Sequence, residues 1–150
     1  MDLNALQGAR PTLREARRLS GEHQRIESLY GGVSDAIAQG EGDKARTRFA
    51  LYSEALLEHM AAEDERYFPA LLRLDPALAS ELKNLAHEHT RLQEDLRDVR
   101  KRIEIGELDA AAARFDALAT SIAKHDAREE DMLERIRASL PTAVQRREPH

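Results

Sequence analysis

The stretch HMAAEDERYFP, residues 59–69, decides how the rest of the chain is interpreted. It begins with His59 and carries Glu63 four positions later. Residues four apart on an α-helix differ by about 40° around the axis and by about 6 Å along it, so the two side chains project from one face. One helical turn therefore offers a nitrogen and a carboxylate to the same point.

The same pair recurs 66 residues later as His125 and Glu129. Two further histidines, His23 and His89, are separated by the same offset. A constant offset predicts one helical hairpin that has been duplicated, with a pseudo-twofold axis relating the two copies. Two matched pairs then predict one site made of two halves.

Composition favours an all-α protein with a single domain spanning residues 1–150. The chain is 41% hydrophobic and 34% charged but only 4% aromatic, and it is rich in Ala, Leu, Glu and Arg, which are strong helix formers. Apolar residues recur at alternating steps of three and four in four long segments, the spacing of amphipathic helices. Short connections predict an up-down-up-down antiparallel four-helix bundle over about residues 12–140.

Local signals predict where the helices begin and end. Pro11 suits a first helical turn, which leaves residues 1–11 as a loose arm, and residues 141–150 form a tail. Asp43 and Asp109 are suitable N-caps for the second and fourth helices. Pro69 should kink or end the second helix near Phe68. Gly106 is expected to close the third helix in a left-handed conformation.

The histidines continue the apolar stripes, so all four helices point polar groups into the bundle. Without a metal this layer is costly, since each unpaired buried carboxylate carries a penalty of several kcal/mol. A metal converts that cost into binding energy. Six ligands are too many for one tetrahedral zinc ion, and a mixed nitrogen and oxygen shell favours two iron ions ahead of manganese or zinc. The predicted ligands are His23, His59, Glu63, His89, His125 and Glu129.

Several residues near these ligands have open roles at this stage. Glu130 is an alternative ligand to Glu129, although the repeat favours Glu129. Asp64 and Glu130 could also support the ligands from outside. We expect Tyr30 and Tyr52 to pack in the core rather than to relay electrons, and His87 to lie on the surface. A metal-free helical interaction module is the plainer alternative, because a lone histidine in a core is usually structural.

Charge and cysteine content narrow the function. A formal net charge of −5 with interspersed arginines gives no basic surface for nucleic acid. No apolar run approaches the roughly 18 residues of a membrane span, and the polar N-terminus lacks the apolar core of a signal peptide, so a cytoplasmic protein is expected. With no cysteine, thiolate ligands and iron–sulfur clusters are excluded.

The motifs together resemble the hemerythrin-like, or HHE cation-binding, family. Glu22-His23, His59-x-x-x-Glu63 followed by DERYFP, Glu88-His89 and His125-x-x-x-Glu129-Glu130 stand in the family's order from about Leu13 to Ile136. The resemblance implies an oxo- or hydroxo-bridged di-iron site. It also implies that His23 and His59 bind one iron, that His89 and His125 bind the other, and that the two glutamates bridge them.

The resemblance implies a protein that binds or senses O2 or a related small molecule such as NO or peroxide. Oxygen-carrying hemerythrins have a second histidine one turn away on the third helix, where this chain has Leu85 and Gln93. That departure weighs against reversible oxygen carriage. It leaves sensing, a di-iron oxidase or peroxidase-like enzyme, and iron handling or delivery as open alternatives.

Overall fold

The computed structural model describes residues 3–140, and it confirms the all-α prediction: none of these residues lies in a strand. The long helices are α1 (Leu3–Ala38), α2 (Gly42–Ala62), α4 (Ala79–Glu104) and α5 (Leu108–Ser139). Between α2 and α4 the chain forms a π-helical turn (Glu63–Tyr67), the short helix α3 (Phe68–Leu74) and a 3₁₀ turn (Pro76–Leu78). Four long helices are consistent with a helical bundle.

Each long helix packs against two others. Helix α1 contacts α2 and α5, and α4 contacts α5 and α2. Their buried residues form two separate apolar cores, one including Phe49, Leu92 and Phe115 and the other including Leu85 and Met132. On α4, His89 lies between Leu85 of one core and Leu92 of the other. The predicted polar layer therefore separates two apolar regions that hold its helices in place.

Helix α1 begins earlier than the sequence suggested. The predicted start at Pro11, with a loose arm before it, is wrong for residues 3–10, since the helix runs continuously from Leu3 and encloses the proline. Ala9 and Leu13 are buried in the core, so packing favours continuation of the helix. The Thr12 hydroxyl donates a hydrogen bond to the Gly8 carbonyl at 2.8 Å. Residues 1–2 and the predicted tail, 141–150, lie outside the described part of the chain.

In the region before Pro69, α2 ends at Ala62 and the helical path continues through a π-helical turn into α3. A proline has no N–H for the carbonyl four residues earlier, so an α-helix cannot continue through it without loss. The chain instead widens into the π-helical turn, in which the Phe68 N–H bonds to the Glu63 carbonyl five residues back. Pro69 then lies in the first turn of α3, where its missing N–H is tolerated. Such single π-turns are frequent at functional sites.

The predicted caps are only partly correct. Asp43 and Asp109 lie in the first turns of α2 and α5, and the residues that precede those helices make no side-chain capping bond. An acidic side chain in the first turn still favours the helix by its interaction with the macrodipole. Gly106 has φ +81°, which confirms the left-handed residue predicted after α4.

Candidate metal centre

The structure brings the six predicted ligands into two overlapping groups. In each group, one ligand atom from every residue lies within 4.8 Å of the others. The first group is His23, His59, Glu63 and Glu129, and the second is Glu63, His89, His125 and Glu129. Glu63 and Glu129 belong to both. Two neighbouring cation positions that share two carboxylates would account for this arrangement.

Each group contains a pair of imidazoles that face each other through their Nε2 atoms. The His23 and His59 Nε2 atoms are 2.9 Å apart, and those of His89 and His125 are 3.1 Å apart. The Glu63 Oε1 atom lies between the two pairs, 3.5 Å from His59 Nε2 and 3.1 Å from His89 Nε2. On the other side, Glu129 Oε1 is 2.6 Å from His125 Nε2 and Oε2 is 3.6 Å from His23 Nε2.

Carboxylates outside the groups hold the far nitrogens of the rings. His59 Nδ1 is 2.8 Å from Glu22 Oε2, and His89 Nδ1 is 2.9 Å from Asp64 Oδ1. An outer carboxylate of this kind fixes both the tautomer and the orientation of a ligand histidine. His125 Nδ1 has the equivalent partner in Glu88, at 2.6 Å.

Sequence reasoning identified only some of these supports. It predicted a supporting role for Asp64 and Glu130, and the structure places Glu130 Oε1 3.9 Å from His23 Nδ1, where Ser20 also bonds to it at 2.8 Å. It missed Glu22 and Glu88. The available signal was the glutamate directly before each of the ligand candidates His23 and His89, repeated at the 66-residue offset.

Surface arginines extend two of these networks. Arg18 bonds to Glu22 at 2.7 Å from the preceding turn of α1. Arg128 of α5 pairs with Glu88 of α4. Bonds with Arg128 and His125 lower the pKa of Glu88 against the effect of burial, and charge-assisted bonds of this kind are stronger than neutral ones. The orientation of His59 and His125 is therefore fixed from the surface inwards.

The protonation pattern shows how the centre balances its charge without a cation. Burial raises the pKa of Glu63, and its hydrogen bond with Glu129 raises it further. Burial opposes ionisation of Glu129, but hydrogen bonds with Glu63, His125 and His23 hold the pKa of Glu129 well below its usual range. Burial also disfavours the charged form of His125, yet Glu129 and Glu63 raise the pKa of His125 to about 11. Protons thus supply positive charge to this layer.

The residues fit a cationic group on two counts. Burial lowers the pKa of His59, so the ring is neutral, and with Glu22 accepting from Nδ1 its Nε2 lone pair faces His23. Two nitrogen atoms 2.9 Å apart are favourable only with a proton or a cation between or beside them. In addition, Glu63 is fully buried and its Oε2 has no hydrogen-bond partner among the described residues. A metal would satisfy both.

The structure separates the ligand candidates from their neighbours. Glu129 is buried and belongs to both groups, whereas the side chain of Glu130 is 50% exposed and belongs to neither. His87 is exposed on α4, as predicted. The other histidine outside the site, His150, lies beyond the described residues. The geometry therefore agrees with the preference for Glu129, and metal ligation by the six residues stays a prediction.

The two tyrosines predicted to pack in the core do so to different extents. Tyr52 is buried, and its ring meets the Phe115 ring edge-on at 5.0 Å. Tyr30 is only half-buried; it stacks on Phe115 at 4.9 Å, and its hydroxyl bonds to Asp116. Burial raises the pKa of Tyr52 above its usual range, which keeps its phenol protonated.

A helical protein with two overlapping histidine and glutamate groups is a candidate metal-binding protein. Residues 15–136 match the family described as the hemerythrin HHE cation binding domain. The chain therefore belongs to the hemerythrin HHE family, whose domain binds cations. Comparisons with curated proteins and with solved structures give no match.

The described helices carry no membrane signal. Among residues 3–140, none of the helices combines the length and the apolar composition that a membrane-spanning segment requires.

Proposed function

We propose that this chain is a single-domain, non-haem di-iron protein of the hemerythrin type that binds or senses O2 or a related small molecule such as NO or peroxide. Its four long helices would alternate in direction, up-down-up-down, as two duplicated hairpins. The repeat supports the duplication, because the Glu22–His59 and Glu88–His125 bonds are equivalent and lie 66 residues apart.

The observation that carries the proposal is the sharing of Glu63 and Glu129 between two donor groups. A single cation would leave one imidazole pair without a partner. Two cations would each take two imidazoles, with the two carboxylates between them. His23 and His59 would hold one iron, and His89 and His125 the other.

The donor set supports iron over the alternatives. Imidazole and carboxylate together suit non-haem iron, whereas manganese prefers a set richer in oxygen and structural zinc prefers a closed tetrahedron. A di-iron centre would supply redox chemistry toward O2, NO or peroxide. Manganese or zinc would bind to the same ligands but would not support all of this redox chemistry.

In this proposal, the protein positions the metal ligands and limits the access of other molecules to them. His59, His89 and His125 are buried, and two apolar cores close the layer from both ends. A cavity of about 170 Å³ between α4 and α5 reaches His125, with Arg91, Lys124 and Arg128 in its wall. At roughly 30 Å³ for each water molecule, this space suits a small molecule.

One observation favours an enzyme as the second candidate. Helix α4 contributes only His89 to the groups; one turn before it stands the buried Leu85, and one turn after it Gln93. A centre with fewer imidazoles has more open positions. Such a site could activate O2 or peroxide as a di-iron oxidase or peroxidase-like enzyme. An open site would also suit a protein that handles or delivers iron. The absence of cysteine argues against a role in the repair of iron–sulfur clusters.

The test is to purify the protein with iron, measure metal per chain, and record the visible spectrum in air, after reduction and after re-exposure to air. Two irons with a bridge charge-transfer band that bleaches and returns would support the proposal. No metal, or one tightly held zinc ion, would contradict it.

A second measurement separates sensing from catalysis. The iron-loaded protein is mixed with excess peroxide, and consumption is followed beside His59→Ala. Turnover that the substitution abolishes would favour the enzyme. A stoichiometric spectral change without turnover would favour a binding or sensing protein.

A further inference from the structure

We propose that Asp126 is an additional ligand at the position held by His23 and His59, so that the two metal positions are chemically different. The inference rests on the proposed two-metal function. Asp126 follows His125 on α5, and sequence reasoning gave it no role.

Asp126 lies outside the group of four residues whose ligand atoms are all within 4.8 Å of one another, but its carboxylate contacts one member of that group, His23. Asp126 Oδ1 is 3.3 Å from His23 Nε2, the atom that also faces His59 Nε2 at 2.9 Å. Ligands bound to one metal at about 2.1 Å and at right angles lie about 3 Å apart. Among the described residues, His23 is the only basic side chain within 4 Å of this carboxylate.

The repeat shows that the fold does not require a carboxylate there. The position 66 residues before Asp126 is occupied by Met60, which is buried and belongs to an apolar core. Elsewhere in the layer the halves match in chemistry: histidine matches histidine, and carboxylate matches carboxylate at Glu22 and Glu88. A half-buried carboxylate carries a desolvation cost that methionine does not. Asp126 therefore has a role beside His23 that its repeat counterpart Met60 does not share.

This difference between the two halves indicates which of the two metal positions has an open coordination site. With Asp126 bound, the first position would have two imidazoles, the shared carboxylates and one further carboxylate. The second position, at His89 and His125, would have no such additional ligand and would be the more open. The cavity between α4 and α5 reaches His125, on this second side. A small ligand would then bind at the His89 and His125 position.

The experiment uses the full chain, made metal-free and titrated with Co²⁺, and then loaded with ⁵⁷Fe²⁺ without oxygen for Mössbauer spectroscopy. The variants are Asp126→Asn, which keeps a hydrogen-bond acceptor but loses the charge, and Asp126→Met, which copies the other half. Asp126→Glu tests rescue. Asp131→Asn, with a 75% exposed side chain on the same helix, is the matched control. Circular dichroism of each metal-free variant reports folding.

We expect Asp126→Asn and Asp126→Met to weaken one of the two Co²⁺ affinities about tenfold or more and to shift one of the two iron doublets, with the other unchanged. Asp126→Glu should restore much of the loss. If Asp126→Asn binds both metals as the wild type does while Asp126→Met does not, Asp126 only positions His23 and the inference fails. Unchanged binding in both variants also overturns it.

The same titration distinguishes a failure of this inference from a failure of the proposed function. A wild-type chain that binds fewer than two metals contradicts the di-iron proposal whatever the variants do. If that one metal still depends on the Asp126 carboxylate, the ligand assignment stands without the second metal.

Discussion

Glu88 of α4 accepts a hydrogen bond from His125 of α5, with 2.6 Å between Oε2 and Nδ1. The bond joins two helices and leaves the His125 Nε2 atom pointing at His89 and Glu129. Arg128 holds the other oxygen of the same carboxylate. The direction in which His125 points is thus set by a residue outside the six predicted ligands.

The first prediction concerns that bond. Glu88→Gln keeps a hydrogen-bond acceptor but removes the charge that fixes the tautomer of His125. Losing such an outer partner typically weakens metal binding by about 10- to 100-fold. We expect a loss of this size in a Co²⁺ titration, with little change in the helical signal of the metal-free protein.

Two comparisons make this test specific. Glu22→Gln alters the equivalent bond to His59 and should weaken binding similarly. Glu94→Gln changes an exposed side chain on α4 and should leave the affinity unchanged. Equal affinities for wild type and Glu88→Gln would show that the carboxylate does not support a ligand.

Much of this site was predictable from spacing alone. The pair His59 and Glu63 lies one helical turn apart, and a single offset extended the pattern to His125 and Glu129. Helical periodicity is local, so the sequence expresses it directly. The supports were harder to predict, because Glu22 bonds to a histidine on another helix. That contact depends on how far α1 is shifted along α2.

The two errors in the predicted secondary structure also arise from contacts between helices. The helix before Pro11 was missed because its first turns show no periodic stripe, and only packing of Ala9 in the core indicates that they are ordered. The π-helical turn at Glu63–Tyr67 was missed because local rules give a kink or a stop before Pro69. Both outcomes depend on burial against other helices, which no local pattern contains.

The second prediction distinguishes two neighbouring glutamates. Glu129 belongs to both donor groups, and the exposed Glu130 to neither. Glu129→Gln should therefore reduce the metal content of the iron-loaded protein below two per chain. Glu130→Gln should keep two and should lower affinity at most modestly, through His23. Metal analysis after gel filtration measures both, and the reverse ranking would reassign the ligand.

The third prediction is that replacing Glu63 abolishes metal binding but stabilises the metal-free protein. This side chain is fully buried, and its Oε2 has no partner among the described residues. Burial raises the pKa of Glu63, and a buried carboxyl group with one unpaired oxygen carries a desolvation cost that an apolar side chain of similar size does not. Glu63→Leu should therefore stabilise the metal-free protein by about 1–3 kcal/mol, the cost of an unsatisfied buried acceptor, and should abolish binding of two metals.

Urea unfolding of the metal-free proteins measures this change. Leu56→Met, a volume-conserving substitution in the adjacent apolar core, is the control and should cost less than about 1.5 kcal/mol. It should leave metal binding intact. A metal-free Glu63→Leu protein less stable than wild type would mean that Glu63 contributes to the fold through its bond to His89.

The last prediction is a pH dependence whose sign depends on metal. In the folded, metal-free protein, Glu129 and Glu63 overcome the effect of burial and raise the pKa of His125 to about 11 from an ordinary value of 6.5. A raised pKa means that the folded state holds the proton more tightly than the unfolded state. The resulting stability is complete below pH 6.5 and is lost as the pH rises toward 11.

Two other histidines do not contribute to this slope. Burial lowers the pKa of His59 and His89, so above pH 7 both rings are neutral in the folded and the unfolded chain alike. His23, whose pKa is raised by Glu129 and Asp126 against the effect of burial, adds to the slope in the same direction as His125. We expect the free energy of unfolding of the metal-free protein to fall by about 1–3 kcal/mol between pH 7 and 9.

Urea unfolding at several pH values tests the prediction, with His125→Gln as the variant that cannot titrate. Most of the slope should disappear in that variant. The metal-loaded wild type should behave oppositely, since metal displaces the proton from His125 and binding strengthens as the pH rises. A metal-free protein whose stability is constant from pH 7 to 9 would show that His125 is neutral there, and Glu129 would then lack the positive charge of that ring.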